Sequence, residues 1–367
     1  MIGVGVVGCG RISEQYLTNL TTSFPATVKL VSCADLDPDA AKLVAEQFNV
    51  ARSVTPEDLY ADPEVDVVLN LTNPWAHHAV NVAALRAGKH VYAEKPLGMT
   101  RDEALDMMAI AEKAGLRIGC APDTFLGAGL QTCRKLIDEG WIGKPTAAYS
   151  RITMVGARMT GRYQSKRIGG VLLDMGPYYI TALIALLGPA RRVAGVSIDA
   201  ATAGAQNRLV SDMKSSDFGQ TVQIETPVTV AGSLEFDGGV VGQVLTTTGG
   251  HAYGPFVEII GTEGVLQVPD PNMFGGPVIV RRAGGESAEI PLTHQYNDRN
   301  RGLGLVEMMY AVEQNRPHRA SASLAYHVLD IMLSLVETSE SGEYRNLERV
   351  CERPEPFVPG YFASPLL

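Results

Sequence analysis

Two glycines near the start of the chain are spaced as in a turn that binds phosphate. They lie in the segment Gly8-Cys9-Gly10-Arg11-Ile12-Ser13, between a short apolar run and a stretch of helix-compatible residues. Gly8 permits a tight turn, Gly10 lets the backbone approach a pyrophosphate, and the small Ser13 allows close packing of the helix on the strand. The N-terminus of that helix offers free N–H groups and the positive end of its dipole. The segment predicts dinucleotide binding, with a merely structural turn as the alternative.

An acidic residue follows the second apolar run, about twenty residues after the glycines, where such a turn has its ribose ligand. Asp35 stands there, with Asp37 close behind. A carboxylate at this place accepts hydrogen bonds from the adenosine ribose and repels the 2′-phosphate of NADP. We therefore expect NAD rather than NADP as the cofactor. The alternatives are that Asp35 only caps the following turn and that Arg11 reaches a 2′-phosphate.

A glutamate and a lysine follow a later apolar run, in the segment Tyr92-Ala93-Glu94-Lys95-Pro96-Leu97. If residues 90–93 form a parallel strand, Glu94 and Lys95 lie at its carboxyl end, where open α/β sheets bind their ligands. A lysine beside the positive nicotinamide of NAD⁺ has a lowered pKa and can exchange a proton. The pair predicts proton transfer at that edge. Taken by themselves, the residues favour the alternative of an exposed ion pair in a turn.

Asp174 and Tyr178 are four residues apart in a stretch, 174–187, that is predicted to be helical, so they share one helix face. A phenol can donate and accept a proton, but its pKa near 10 must be lowered for it to act as a base at neutral pH. A lysine ammonium nearby would lower that pKa. The alternative is that Tyr178 and Tyr179 are packing residues of an amphipathic helix, and the residues alone favour it.

The elements that position these residues alternate between strand and helix in the first third of the chain. Strands are predicted over 2–7, 28–34, 65–71, 90–93 and 116–120, and helices over 13–20, 38–48, 74–87, 101–114 and a short stretch from Pro56. Thr55 and Thr100 are predicted helix caps, and Gly115 a helix end. This alternation indicates a parallel sheet covered by helices on both faces. We place the boundary of this Rossmann NAD-binding domain near Ala121-Pro122 and assign it residues 1–122.

The rest of the chain, 123–367, is predicted to be a second α/β domain that binds substrate and carries the oligomer contacts. Helices are predicted over 126–139, 174–187, 303–314 and 322–338, and several short strands with glycine turns lie between about 193 and 280. The turn at residues 236–240 is typical of a β-hairpin. Neighbouring strands joined by short turns indicate a largely antiparallel sheet.

Composition disfavours several classes of function. The formal net charge is −9 and there is no basic block, which disfavours nucleic acid and an anionic membrane as partners. The five cysteines form no CxxC pair and the histidines lack metal-ligand spacing, so neither a disulfide framework nor a metal site is expected. The N-terminus lacks the pattern of a signal peptide and no apolar run is expected to approach the length of a membrane span. The cytoplasm is therefore the expected compartment.

Several of these segments together resemble the Gfo/Idh/MocA family of oxidoreductases. The resemblance rests on the order of the motifs, which are Gly8-Cys9-Gly10-Arg11-Ile12, Asn73-Pro74-Trp75-Ala76-His77, Ala87-Gly88-Lys89-His90-Val91 leading into Glu94-Lys95-Pro96, Gly169-Gly170-Val171-Leu172-Leu173-Asp174-Met175-Gly176-Pro177-Tyr178, and Arg301-Gly302-Leu303-Gly304. It covers nearly the whole chain. It implies a Rossmann domain followed by an α/β domain with a large open, mainly antiparallel sheet, and NAD(P)-linked redox chemistry on a sugar, cyclitol or related polyol.

By this resemblance Lys95 is the catalytic lysine, and Asp174 and Tyr178 complete the catalytic group. Many members of the family have a histidine at the position of Tyr178, and the tyrosine resembles glucose–fructose oxidoreductase and dimeric dihydrodiol dehydrogenase. The expected cofactor-binding residues are Gly8, Gly10, Arg11, Ile12, Asp35, Thr72, Asn73, Pro74, His77, Glu94 and Lys95. The expected substrate-binding residues are Asp123, Arg158, Tyr163, Gln164, Asp174 and Tyr178.

Two of these positions have their own alternatives. For His77, capping or packing at its turn is as strong an interpretation as contact with a ligand. The segment Asp123-Thr124-Phe125-Leu126 stands where many members carry an asparagine or glutamine and an arginine. The substrate end of the pocket is therefore expected to differ from that of inositol dehydrogenases.

Three functions are open at this point. A dehydrogenase would pass hydride between a hydroxyl-bearing carbon of the substrate and NAD, while Lys95 and Tyr178 move the proton. A glycoside-cleaving enzyme of the same fold would keep NAD bound and use transient oxidation. A non-catalytic sensor would only bind the dinucleotide, and it is disfavoured because Lys95 and Asp174 are both present. A homodimer or homotetramer is expected, because a large sheet with helices on one side leaves an apolar face to cover.

Overall fold

The computed structural model describes residues 1–156, 161–213, 217–282 and 284–359. These residues form two compact units. Unit 1 consists of Met1–Leu126 and Asp298–Tyr326, and unit 2 consists of the described residues of Gly127–Asn297 and His327–Leu367. The sequence predicts one change of domain, after residue 122. The structure instead extends unit 1 to Leu126 and adds a later segment to it.

The later segment joins unit 1 through hydrogen bonds between residues that are far apart in the chain. The N–H groups of Gly302 and Gly304 donate to Oδ2 of Asp123, at 2.8 and 3.0 Å. The N–H of Cys120 donates to the carbonyl of Ala320 at 2.9 Å. Contacts of this kind leave no local pattern in a sequence, so the sequence alone does not assign the segment to unit 1.

Unit 1 contains a six-stranded parallel sheet with helices between its strands. The strands are β1 (Ile2–Val7), β2 (Val28–Ala34), β3 (Arg52–Ser53), β4 (Val67–Asn70), β5 (His90–Ala93) and β6 (Ile118–Cys120). The helices are α1 (Arg11–Ser23), α2 (Pro38–Phe48), α3 (Pro56–Ala61), α4 (His77–Arg86), α5 (Arg101–Ala114) and α8 (Leu303–Glu313). The strand order is β3-β2-β1-β4-β5-β6, with parallel pairing throughout the described sheet. The predicted Rossmann-type sheet is confirmed.

Residues close in the sequence begin α3 and α5 and end α5, as the sequence predicts. Thr55 and Thr100 each accept the backbone N–H three residues ahead, at 3.2 Å in both cases, and so cap α3 and α5. Gly115 ends α5 in the left-handed conformation, with a φ of 68°. The predicted helix over 74–87 is instead a short 3₁₀ turn, Pro74–Ala76, followed by α4.

Unit 2 is built on a nine-stranded sheet. The strands of unit 2 are β7 (Pro145–Val155), β8 (Ala190–Ile198), β9 (Asn207–Leu209), β10 (Thr221–Gln223), β11 (Thr229–Phe236), β12 (Val241–Thr247), β13 (Gly249–Gly261), β14 (Gly264–Val268), β15 (Val278–Arg282), β16 (Ala288–Ile290) and β17 (Arg345–Asn346). The sheet has the order β16-β15-β14-β13-β7-β12-β11-β8-β17, and β9 and β10 form a separate pair. Among the described residues its pairings are antiparallel except that of β7 with β12. The predicted large, mainly antiparallel sheet is confirmed, and the predicted hairpin joins β11 to β12.

Unit 2 also holds α6 (Ala128–Asp138), α7 (Gly170–Leu187) and most of α9 (Ala322–Ser341). Helix α7 begins at Gly170 rather than at the predicted residue 174, after Gly169 in the left-handed conformation with a φ of 86°. Its 18 residues have a mean hydropathy of 1.6, so by length and composition alone it could cross a membrane. The expectation that no apolar run approaches a membrane span is therefore wrong. Of its residues, 89% are buried inside the protein, which is typical of a core helix.

Candidate active site

The glycine-rich turn between β1 and α1 forms an open backbone cradle. Gly8 has a φ of +101°, and a Cβ there would lie 2.7 Å from the carbonyl carbon of Leu71, so only glycine fits. A Cβ added at Gly10 would meet no described atom within 4 Å, so that side of the turn is open. Arg11 is exposed and Ile12 half-buried, and no described side chain caps this end of α1. The first turn of α1 is thus open to an anion, and the cradle fits a dinucleotide pyrophosphate.

Asp35 lies just after β2, with its carboxylate held against the glycine turn. Its Oδ2 accepts the N–H of Cys9 at 2.7 Å, and its Oδ1 accepts the N–H of Asp37 at 2.9 Å. Each carboxylate oxygen can accept a further hydrogen bond, so Asp35 can still bind a ribose hydroxyl. Asp37 instead caps α2, because its Oδ1 accepts the N–H of Asp39 at 3.0 Å. The structure thus gives the two acids separate roles.

Glu94 and Lys95 follow β5 at the carboxyl edge of the same sheet. Glu94 is buried, and its two carboxylate oxygens have different partners. Oε1 accepts the hydroxyl of Tyr16 at 2.8 Å, and Oε2 accepts the N–H of Lys95 at 3.1 Å. Lys95 is half-buried. Because β1 pairs with β4 and β4 with β5, all in parallel, the cradle and Lys95 lie along one edge of the sheet.

The turn after β4 holds three more of the predicted cofactor residues, Thr72, Asn73 and Pro74, all half-buried. It is held by Asn70, a fully buried residue that none of the sequence motifs identifies. Oδ1 of Asn70 accepts the N–H and the hydroxyl of Thr72, at 3.0 and 2.6 Å, and its Nδ2 donates to Asn81 at 2.7 Å. A polar residue inside an otherwise apolar strand is the sequence feature that could have identified Asn70.

His77 begins α4 and is fully buried. Its Nδ1 lies 2.7 Å from the carbonyl oxygen of Pro96, and its Nε2 lies 3.2 Å from that of Thr72. Burial lowers the pKa of His77, and a neutral imidazole donates through only one nitrogen. We assign the proton to Nδ1, which has the shorter contact. His77 therefore ties the start of α4 to the peptide next to Lys95, as the packing alternative expects, and its contact with the cofactor stays a prediction.

Asp123 is fully buried within unit 1. Its Oδ2 accepts the N–H groups of Gly302 and Gly304 at the start of α8. Burial raises the pKa of Asp123 to about 6, against the opposing effect of these hydrogen bonds and of the Arg301 charge. A carboxylate that holds two backbone amides has a structural role, and the contact of Asp123 with substrate stays a prediction.

Asp174 and Tyr178 lie one turn apart on α7 in unit 2. Asp174 is half-buried and Tyr178 is 7% exposed. The neighbouring Tyr179 is fully buried, and its hydroxyl donates to Oδ1 of Asp270 at 3.0 Å. The hydroxyl of Tyr253 donates to the other oxygen of Asp270 at 2.6 Å. Tyr179 is thus an anchor of α7.

The other predicted substrate residues precede α7. Tyr163 and Gln164 lie in a 3₁₀ turn, Gly161–Gln164. Tyr163 is 38% exposed, whereas Gln164 is buried and its carbonyl accepts the N–H of Glu225 at 3.0 Å. Arg158 lies outside the described residues. Within the described ranges, no group of three or more His, Cys, Asp or Glu side chains could hold a metal ion.

Two family models match the chain. The one described as "Oxidoreductase family, NAD-binding Rossmann fold" matches residues 2–121. The one described as "GFO/IDH/MocA C-terminal domain" matches residues 130–267. The first match includes the glycine cradle and Lys95, and the second includes Asp174 and Tyr178.

Named relatives are similar over most of the chain. A 1,5-anhydro-D-fructose reductase of Ensifer adhaerens is 30% identical over 304 residues, which cover 78% of this chain and 82% of the relative. A trans-1,2-dihydrobenzene-1,2-diol dehydrogenase of Sus scrofa is 26% identical over 306 residues, covering 82% and 84%. A solved structure of levoglucosan dehydrogenase in complex with NADH has a TM-score of 0.81 at 20% identity and covers 95% of this chain and 100% of that chain. At that identity the structural likeness shows the fold.

Proposed function

We propose that this chain, which belongs to the Gfo/Idh/MocA family of oxidoreductases, is an NAD-dependent dehydrogenase of a sugar, cyclitol or related polyol. Its membership makes it an NAD-binding oxidoreductase of the sugar or cyclitol dehydrogenase type. The cofactor preference, the substrate and the roles of single residues are proposals. The observation that carries the proposed dehydrogenase chemistry is the position of Lys95 after β5, at the same sheet edge as the cradle after β1.

In the proposed reaction a bound dinucleotide supplies the hydride chemistry, and the residues of the chain orient the reactants and move protons. Lys95 takes the proton from the substrate hydroxyl as that oxygen becomes a carbonyl, and returns it in the opposite direction. The lysine must be deprotonated to accept this proton, and a positive charge next to it lowers its pKa.

Asp174 and Tyr178 are proposed to assist Lys95. The hydroxyl of Tyr178 donates to, or accepts from, the reacting oxygen. Asp174 holds substrate hydroxyls. Their spacing on α7 supports a joint role, and the roles themselves rest on the resemblance to the family.

Asp35 supports NAD rather than NADP as the preferred cofactor. Its carboxylate is held at the glycine turn by the N–H groups of Cys9 and Asp37. An anion fixed there accepts hydrogen bonds from ribose hydroxyls and repels a phosphate on the same sugar. Arg11, which is exposed in the first turn of α1, is the residue that would favour NADP instead.

The proposed substrate class comes from the relatives together with the chain's own residues. By their names, the relatives act on an anhydro sugar and on a cyclic diol. Tyr163, which is 38% exposed, precedes the helix that carries Asp174 and Tyr178. A phenol beside a ring substrate offers both an apolar face and a hydroxyl. We therefore propose that the turn with Tyr163 contacts the sugar or cyclitol ring.

We also propose a homodimer or homotetramer in the cytoplasm. The strand register places Tyr149, Val196 and Val241 on one face of the large sheet, and they are 43%, 73% and 53% exposed. Exposed apolar side chains on such a face are suited to pairing with a second copy. All five cysteines are free and buried, which is compatible with a reducing compartment.

The test is a panel of aldoses, inositols, anhydro sugars and glycosides offered to the purified chain with NAD, read by NADH absorbance. We expect net NADH formation with at least one sugar or cyclitol. Release of a cleaved product without net NADH would instead support the glycoside-cleaving alternative. Tight NADH binding without turnover of any compound, in either direction, would support the sensor.

A further inference from the structure

Tyr16 lies in the second turn of α1, the helix whose first turn belongs to the phosphate cradle. Its side chain is fully buried, and its hydroxyl donates to Oε1 of Glu94 at 2.8 Å. Burial and the negative charge of Glu94 raise the pKa of Tyr16, so the phenol keeps its proton and acts only as a donor. The bond joins residues 78 positions apart in the chain.

The carboxylate of Glu94 also accepts a hydrogen bond from the next residue, Lys95. Its Oε2 accepts the backbone N–H of Lys95 at 3.1 Å, and its own N–H donates to the carbonyl of Asn70 at 2.9 Å. The backbone of Glu94 is thus held by the neighbouring strand. Its carboxylate is held at one oxygen by α1 and at the other by Lys95.

The orientation of a buried carboxylate depends on its hydrogen-bond donors. A buried carboxylate oxygen that loses its hydrogen bond carries a desolvation cost, which favours a new orientation in which another donor reaches it. Turning the Glu94 carboxylate alters its bond to the N–H of Lys95 and hence the orientation of that peptide. A displacement of a reacting group by about 1 Å can lower a rate by about 100-fold.

We propose that Tyr16 is a positioning residue for Lys95, acting through Glu94, so that the helix that binds the dinucleotide also sets the placement of the lysine that moves the proton. This inference rests on the proposed function, because Lys95 is a catalytic residue only there. The pyrophosphate cradle is made of backbone atoms and does not include the Tyr16 hydroxyl. Tyr16 is therefore expected to affect the chemical step more than the affinity for the dinucleotide.

The first experiment compares Tyr16→Phe with Tyr92→Phe. Tyr92 is also fully buried in unit 1, but its hydroxyl has no hydrogen-bond partner among the described residues, which makes it a matched control. With a substrate that the wild type turns over, we expect Tyr16→Phe to lower kcat by about 10- to 100-fold and to change the Kd for NADH by less than about threefold. Tyr92→Phe is expected to keep both values. An unchanged kcat in folded Tyr16→Phe, or an equal loss in both variants, would overturn the proposal.

The second experiment is a double-mutant cycle with Glu94→Gln. Tyr16 and the N–H of Lys95 donate to different oxygens of Glu94, and the glutamine replaces one of these oxygens by an NH₂ group that cannot accept. If Tyr16 acts through Glu94, adding Tyr16→Phe to Glu94→Gln lowers kcat by less than about threefold more. Losses that multiply would show that Tyr16 acts by another route and contradict the proposal.

A third measurement needs no substrate and separates this inference from the proposed function. Hydrogen exchange at the Lys95 amide can be followed in protein labelled with ¹⁵N-lysine. We expect the exchange to be about tenfold faster in Tyr16→Phe than in the wild type and in Tyr92→Phe. If no compound is turned over, the proposed function fails, while faster exchange still supports the coupling and unchanged exchange refutes it.

Discussion

Oδ2 of Asp35 accepts the backbone N–H of Cys9 at 2.7 Å, which holds the acid at the end of β2 directly against the phosphate-binding turn. A negative charge fixed beside the site for the adenosine ribose is the physical basis for preferring NAD. Asp37, two residues later, is occupied as the cap of α2.

Replacing Asp35 should therefore weaken the discrimination between the two cofactors. Asp35→Asn removes the charge and keeps an acceptor for one N–H group, so the ratio of kcat/KM for NAD to that for NADP should fall about tenfold, or ~1.4 kcal/mol. The control is Asp37→Ala. Loss of this helix cap should lower the free energy of unfolding by about 1 kcal/mol, and with it the Tm, but should leave the ratio unchanged. A wild-type preference for NADP would contradict the assignment and implicate Arg11.

Lys95 should be required for the reaction and dispensable for binding. Lys95→Ala should lower kcat by about 10²–10⁴-fold, the usual range for general acid–base catalysis. The Kd for NADH should change little, because the backbone of residues 8–12 forms the cradle. Lys95→Arg should not restore activity, since a guanidinium does not give up its proton near neutral pH. An active Lys95→Ala enzyme would refute the mechanism while leaving the fold unaffected.

The two adjacent tyrosines of α7 should respond differently to loss of the hydroxyl. Tyr178→Phe should lower kcat by about 10²–10⁴-fold if the hydroxyl acts on the reacting oxygen. Tyr179→Phe should instead lower the free energy of unfolding by about 1.5–3 kcal/mol, because Asp270 loses a charge-assisted hydrogen bond. Stopped-flow or steady-state rates and denaturant unfolding of both variants separate the effects. An unchanged kcat in Tyr178→Phe would assign the proton transfer to Lys95 with Asp174.

Asp123 should make the stability of the chain depend on pH. Its folded pKa of about 6 lies above the ordinary value of 3.8, so the folded state binds the proton more tightly. Its contribution to the free energy of unfolding is then fully present below about pH 4 and is lost as the pH rises through about 6. A difference of about two in pKa corresponds to about 3 kcal/mol.

Asp123→Asn tests this directly. The amide oxygen still accepts from Gly302 and Gly304, but the side chain has no proton to lose. The free energy of unfolding of the variant minus that of the wild type should rise between about pH 4 and pH 6 and then level off. Denaturant titrations across this range give the difference. A difference that does not change with pH would show that the carboxyl titrates normally.

Oligomer formation should depend on the exposed face of the large sheet. Val196 is 73% exposed on β8, so Val196→Glu should leave the fold unchanged but place a charge in the proposed contact. Light scattering at micromolar concentration should give two or four chains for the wild type and a smaller mass for the variant. Leu43→Glu, at a residue of α2 that is 64% exposed, is the control expected to keep the wild-type mass. A monomeric wild type would refute the proposal.

Much of unit 1 was predictable because its strands and helices are encoded in short stretches of sequence. Glycine at position 8 is demanded by a backbone angle and a close approach to Leu71. Thr55 and Thr100 cap their helices through bonds that reach only three residues ahead. Continuous apolar runs become the buried parallel strands. The sequence by itself also placed Lys95 at a strand end, since only the position of β5 was needed.

Partners far apart in the chain were decided by the tertiary structure alone. Neither the bonds of Asp123 to Gly302 and Gly304 nor the bond of Tyr16 to Glu94 left a sign in the sequence. Strand β7, with polar residues such as Arg151 at exposed positions, pairs with β12 and β13, about a hundred residues later. Local conformation depends on neighbours in sequence, whereas burial and long-range hydrogen bonds exist only once distant segments have packed together.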